Sequence, residues 1–169
     1  MVGLYIDAAE AATTPPGRLP PIRSFVKDRR GRVTTFAVPG ASATLATGIN
    51  DRGQIAGTWF EAGVTFGAAP YPPGTVHGFV RQPGGKLTTI DLPRFANTAV
   101  TDINNRGQLV GQNAEFAAEQ SLGFLREPNG RVTVIDLPGR ATVQEFLALN
   151  DRGQVAIPDS GTGLDPVTR

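Results

Sequence analysis

Histidine occurs once in the 169 residues, as His77, and cysteine not at all. Thiol nucleophiles, disulfides, thiolate zinc sites and multi-histidine metal centres are thereby excluded, so acid–base chemistry falls to His77 and the carboxylates. Glu61, Glu115, Glu119 and Glu145 lie outside the positions that the chain repeats, where function in repeat proteins often resides. Two of them converging would supply the acid and base of glycoside hydrolysis. Asp91 and Asp136 each follow a predicted strand and read more simply as caps of the adjoining turn. The other available chemistry is contact. Trp59, Phe66, Tyr71 and His77 gather around the segment Glu61 to Thr75, which carries Pro72-Pro73-Gly74. Rigid aromatics on a proline-stiffened loop make an apolar or sugar-stacking surface. A matching long linker, Ala8 to Pro21, carries Pro15-Pro16-Gly17 and is expected to leave the domain on the same face. Trp59 shares its position with Tyr5, so packing within a sheet is the competing account of it.

A further set, Asn50, Arg52, Asn104, Arg106, Asn150 and Arg152, belongs to a segment Asn-[Asp/Asn]-Arg-Gly-Gln that occurs three times. Asp102-Ile103-Asn104 has the alternating oxygens found early in calcium loops. Calcium wants about six or more oxygens, however, and Gly48 and Ala148 stand where Asp102 stands in the second copy. The segment therefore reads as a capped turn, with Asn bonding its own backbone two residues on and Gly in the left-handed region. Its arginines read as solvated tips or braces to the next repeat. No metal and no cofactor is expected.

These residues are set in an internal repeat anchored on Phe25, Phe79 and Phe124. From each Phe a Gly lies 6 residues on, a large apolar residue 11 on and a Pro 14 on, as in Gly31, Phe36, Pro39 and Gly85, Ile90, Pro93 and Gly130, Ile135, Pro138. The Asn turn opens 25 residues after the first two Phe and 26 after the third. Each copy reads as four short strands. The first is Ile22 to Val26, Val76 to Arg81 or Leu122 to Arg126, and ends in a Gly-bearing hairpin turn. The second, Val33 to Phe36, Leu87 to Ile90 or Val132 to Ile135, is rich in β-branched types and stopped by proline. The third runs over Ala43 to Ile49, Ala99 to Ile103 and Gln144 to Leu149. After the Asn turn comes the fourth, Gln54 to Phe60, Gln108 to Asn113 or Gln154 to Ile157. No stretch of helical period competes, beyond a possible turn over Ala114 to Gln120. Met1 to Asp7 matches a fourth strand, with Gly3 and Tyr5 in the places of Gly57 and Trp59. Copy three has Ile157-Pro158 there, so the N-terminal strand is expected to substitute in a last unit, within the chain or in a partner.

Composition agrees with short strands and many turns: Gly (21) and Pro (14) hold about a fifth of the positions, and 40% of residues are hydrophobic, enough for a core. A formal net charge of +1 offers no electrostatic case for nucleic acid or a membrane surface. No apolar run approaches the ~20 residues that span a bilayer, and the start lacks the basic and apolar regions of a signal peptide.

The segments His77-Gly78-Phe79, Leu87-Thr88-Thr89-Ile90-Asp91-Leu92-Pro93 and Gly48-Ile49-Asn50-Asp51-Arg52-Gly53-Gln54-Ile55-Ala56-Gly57 resemble the extracellular HAF repeat family, whose units read approximately His-Ala-Phe, Thr-Thr-Ile-Asp-x-Pro-Gly and Gly-Ile-Asn-x-x-Gly-Gln-Ile-Val-Gly. The resemblance covers nearly the whole chain to Ile157 and departs at Arg23, Leu122 and Ala37. It implies a secreted bacterial β-propeller and carries no catalytic residues with it. The expected architecture is all-β: a single repeat domain with an orphan strand at 1–7, repeats at 22–60, 76–113 and 121–158, and a tail at 159–169. Propellers close with about four to eight blades, so three four-stranded blades are expected to form half of a six-bladed propeller completed by a homodimer. The alternative is a closed three-fold trefoil-like barrel. The expected function is a non-catalytic binding or scaffold module using loops on one face to hold a small molecule, glycan or protein. The alternative is a hydrolase, lyase or cyclase with its site in the central channel. A bound ligand or a cluster of shifted carboxylates near His77 would favour the enzyme, and a flat aromatic loop face with no convergent polar groups the binding module.

Overall fold

The computed structural model describes residues 1–14, 20–114, 121–137 and 147–157. Among them the chain is all-β, with the strands β1 (Val2–Ile6), β2 (Ile22–Lys27), β3 (Val33–Phe36), β4 (Ala43–Ile49), β5 (Ile55–Phe60), β6 (Val76–Arg81), β7 (Leu87–Ile90), β8 (Thr98–Ile103), β9 (Leu109–Asn113), β10 (Ser121–Arg126), β11 (Val132–Leu137), β12 (Ala148–Leu149) and β13 (Val155–Ala156). One helix, α1 (Ala8–Thr13), lies inside what the sequence suggests is a plain linker. Its run of alanines favours helix, the Asp7 carboxylate accepts the Glu10 backbone N–H at its start, and Glu10 ties it to β2 by an ion pair with Arg23. Pro15-Pro16-Gly17, Glu115, Glu119, Glu145, the Asp136 side chain, Pro138, the start of the third copy's third strand and the 159–169 tail lie outside the described residues.

The strands fall close to where the repeat puts them, but the sheets are cut differently. β4, β5, β6 and β7 form one antiparallel meander, joining the last two strands of copy one to the first two of copy two. β8 to β11 repeat it one copy later. The proline after the second strand explains the cut: it cannot donate to a ladder, so the chain leaves there and opens the next sheet with its third strand. β1, β2 and β3 make the start of the series, joined to β4 by a single parallel pair, Ile22↔Ala43, and β12 with β13 makes its end. β1 pairs with β2 in the first sheet, as its likeness to β5 and β9 explains: Gly3↔Phe25, Gly57↔Phe79 and Phe124↔Gly111 are equivalent pairs. Among the described residues the strands form several sheets and no closed barrel, in place of the three-fold barrel that was the alternative.

Neighbouring sheets pack through their first strands. Thr47 and Thr101 stand at a bulge in β4 and β8, and their hydroxyls donate to the carbonyls of Val100 and Leu147 in the sheet that follows, at 3.1 and 2.7 Å. Ala56, Ile90, Val100, Leu109 and Phe124 share one core cluster, which draws on both meanders.

Candidate functional site

The cross-strand register of β5 and β6 sets Trp59 directly opposite His77. Their rings stack with centroids 4.3 Å apart and planes 19° from parallel. Carrying the β6–β7 hairpin one step past Gly78↔Ile90 brings Asp91 beside His77, and Nδ1 lies 2.8 Å from Asp91 Oδ1. Glu61, the first residue after β5, reaches the other nitrogen, with Nε2 and Glu61 Oε1 3.6 Å apart. The His77 side chain is 14% exposed, whereas those of Glu61 and Asp91 are 49% and 57% exposed. Trp59 Nε1 and His77 Nε2 are buried without a hydrogen-bond partner. The carboxylate of Asp91 accepts from Nδ1–H, which turns Nε2 towards Glu61.

Phe66 and Tyr71 do not join this cluster. They turn to the other side of β5 and pack edge-on against Phe60, at 5.4 and 5.2 Å. Tyr71 is buried, and its hydroxyl accepts the Gly67 backbone N–H at 2.9 Å. The connection from Glu61 to Thr75 is pinned by Asn97, which is 1% exposed. Its Oδ1 accepts the N–H groups of Thr75 and Val76, and its Nδ2 donates to the carbonyls of Tyr71 and Pro72. The expected aromatic loop face is therefore divided: two rings hold the loop down, and two stack at the sheet end. Among the residues that matter here, the sequence offered no sign of Asn97, and it left Glu61 and Asp91 without a partner.

The cluster is particular to the second unit. In the first, the equivalent positions hold Tyr5 opposite Arg23, with Ala37 in the place of Asp91, beside a recess of about 360 Å³ lined by Arg23, Ala37, Val38 and Pro39 among others. In the third, Asn113 Oδ1 accepts the backbone N–H of Leu122.

The three Asn turns form a ladder. Within each, the Asn Oδ1 accepts the N–H groups two and four residues on, at 3.0 to 3.1 Å. Gly53, Gly107 and Gly153 hold φ of 74°, 79° and 82°, the left-handed conformation that closes the turn. Between turns, Asn50 Nδ2 donates to the Asn104 carbonyl at 3.0 Å and Asn104 Nδ2 to the Asn150 carbonyl at 2.9 Å. Arg52, Arg106 and Arg152 are exposed at the tips. Asp102 acts as a brace: its Oδ2 accepts the Leu149 N–H at 2.9 Å, and among the described residues no group of three His, Asp or Glu side chains could hold a metal ion.

Asn105 links the outer side of the ladder, donating to Asp51 and to Asp151. The Asn105 backbone N–H, then its side-chain amide, hold the Asp151 carboxyl below its ordinary 3.8, against a smaller opposing effect of burial and with help from the Arg106 charge. Because the folded value is the lower one, this contribution is present above 3.8 and is lost as pH falls through the folded value. The expected result in a carboxyl NMR titration is an Asp151 midpoint below 3.8 that Asn105→Ala returns towards it.

Comparison of the chain with protein-family models, with curated proteins and with solved structures finds no match.

Proposed function

We propose that the chain is a non-catalytic binding module of the HAF-repeat kind, secreted and built from propeller blades. Each four-stranded meander is one blade, and the three Asn turns stack where the first strands of successive blades meet. The identical strand order of the two full meanders and the turn-to-turn bonding support this reading. Closure then requires further blades, which a second copy supplies.

The binding site is the Trp59–His77 pair with Glu61 and Asp91, and the ligand is a glycan or other small polyhydroxylated molecule. The observation that carries it is the stacked Trp59–His77 pair, with Asp91 Oδ1 2.8 Å from Nδ1 and Glu61 Oε1 3.6 Å from Nε2, at a partly open sheet end. The carboxylates of Glu61 and Asp91, about half exposed beside the rings, accept from ligand hydroxyls. Half-exposed carboxylates suit reversible contact more than chemistry in a water-excluded cavity.

Trp59 is the single tryptophan, so its emission reports on this site alone. Titrating a panel of soluble oligosaccharides is expected to shift that emission for at least one class. His77→Ala is expected to weaken the response by tenfold or more while costing only about 1 kcal/mol of stability, the size of one aromatic stack. A panel that binds equally to both proteins would refute the site.

A second reading, an enzyme of the hydrolase, lyase or cyclase type, is favoured by the Asp91 bond to Nδ1, which fixes one tautomer and orients Nε2 as a base. Turnover of a bound oligosaccharide, lost in His77→Gln without loss of binding, would select it.

A further inference from the structure

A formal net charge of +1 conceals a division of charge between the two ends of the sheets. The β6–β7 and β10–β11 hairpins share one end with the Asn turns, because Ile55 at the start of β5 pairs with Arg81 at the end of β6, and Leu109 of β9 with Arg126 of β10. Gly53 and Gly107 of the turns accordingly lie against Pro83 and Pro128 of those hairpins. β2 is parallel to β4 and brings the β2–β3 hairpin to the same end. The first hairpin carries Lys27, Arg29, Arg30 and Arg32, the second Arg81 and Lys86, and the third Arg126 and Arg131. With Arg52, Arg106 and Arg152 of the turns, this end holds eleven of the thirteen lysines and arginines among the described residues. Arg23 and Arg94 stand at the other end, among Asp7, Glu10, Glu61 and Asp91.

The carboxylates at the turn end are engaged by the fold more than by the cations. Asp28 accepts the N–H groups of Arg30 and Arg32, Asp51 and Asp151 accept from the Asn105 amide, Asp102 accepts the Leu149 N–H, and Glu127 accepts from the Gln108 amide. Arg32 and Arg131 have ion pairs, with Asp28 at 3.3 Å and Glu127 at 3.6 Å. Among the described residues the other nine cations of this end have none. Lys86 and Arg131 are exposed although a unit precedes each of their hairpins, and Arg52 and Arg106 are exposed between successive units. The openness of this end is therefore a property of the stacked units themselves.

We infer that this end binds a linear acidic polysaccharide. Guanidinium forks match carboxylate and sulfate groups in planar, bidentate pairs, and arginine outnumbers lysine here by nine to two. Acceptors recur between the cations, as in the line of Asp51, Asn105 and Asp151 beside the arginines of the turns. Such a mixed surface suits a polymer whose acid groups are separated by hydroxyls, which donate to the carboxylates. A DNA duplex, with one phosphate per about 1.7 Å of its axis, is repelled by those same carboxylates. Single-stranded bases stack on open rings, and no aromatic side chain among the described residues is exposed. At the first hairpin a recess of about 560 Å³, lined by Asp28, Arg29, Arg30 and Arg32, has room for a sugar unit. Trp59 and His77 lie at the opposite end of β5 and β6, so this surface is separate from the site proposed above.

Calorimetric titration with size-fractionated heparin and with polygalacturonate tests the surface, one probe sulfated and the other carboxylated. Binding of at least one is expected, weakening tenfold or more between about 50 and 200 mM salt. Arg106→Glu, at an exposed tip, is expected to weaken it about tenfold at the lower salt with the β-sheet circular dichroism intact. Arg94→Glu changes the net charge equally at the other end and should alter binding less than twofold. Should Arg106→Glu disturb the turn, Arg30→Glu gives the same reading from the first hairpin. Failure of both polymers to bind would overturn the inference, and so would binding that ignores salt. Equal losses in Arg106→Glu and Arg94→Glu, or none in either, would do the same. A short DNA duplex or phosphatidylserine vesicles bound as tightly as the polysaccharide at the same salt would make this a nucleic-acid or membrane face instead. None of these outcomes is read from Trp59 emission, so the two sites stand or fail separately.

Discussion

Gly111→Ala is expected to destabilise the protein by about 3 kcal/mol, the upper end of what overpacking costs. The reason is a backbone approach. Next to the register shift between Val100 and Asp102, a methyl group on residue 111 meets the carbonyl oxygen of Ala99 on one side and the ring of Phe124 at 2.8 Å on the other. Neither obstacle is the movable end of a long side chain: Phe124 is fully buried, and the carbonyl belongs to a paired strand. The Phe ring lying across the Gly of the neighbouring strand explains why the repeat keeps both residues, since each fills the space that the other leaves. Gly84→Ala is the control, because an added methyl there meets nothing within 4 Å. Urea unfolding of the two variants should separate them clearly, and a Gly111→Ala midpoint equal to that of the wild type would refute the packing argument.

The second large effect is expected at the middle of the turn ladder. Asn104 is 4% exposed. It accepts from Arg106 N and Gln108 N and donates to Gln108 Oε1 and to the Asn150 carbonyl. Alanine there leaves the Arg106 and Gln108 N–H groups without their acceptor, while the Asn150 carbonyl keeps the Gly153 N–H, and at about 1 to 3 kcal/mol for a buried group left unsatisfied, a total of ~3 kcal/mol is expected. Asn150→Ala removes the same turn bonds from an exposed residue, where water replaces them, and should cost less than about 1 kcal/mol. Thermal unfolding of the two variants measures the difference. Equal losses would mean that the bonds between turns contribute nothing to holding neighbouring sheets together.

The strands were legible because their signals are local. Val33-Thr34-Thr35-Phe36 and Leu87-Thr88-Thr89-Ile90 announce pleated segments by residue type, and glycine and proline mark where each stops. The capped Asn turn was equally plain, since an Asn that bonds the backbone two and four residues on needs no distant partner. Even the companionship of His77 and Asp91 lay within reach, through the register of the short hairpin between them.

Helix α1 escaped notice because six residues are too few to establish a period, and what holds it is a tether from Glu10 to Arg23, 13 residues away. The order of strands within a sheet was settled at a greater distance still. The repeat is cyclic along the chain, so its period is the same wherever a unit is cut, and the folded cut falls at the proline between second and third strands. Trp59 and Glu61 meet His77 across a 15-residue connection whose course depends on Asn97 and on burying Tyr71 against Phe60. Local residue types thus determined the strands, turns and number of copies, because those depend on backbone preference alone. The division into sheets and the meeting of Trp59 and Glu61 with His77 were decided by tertiary structure, because each depends on which distant backbone groups find one another.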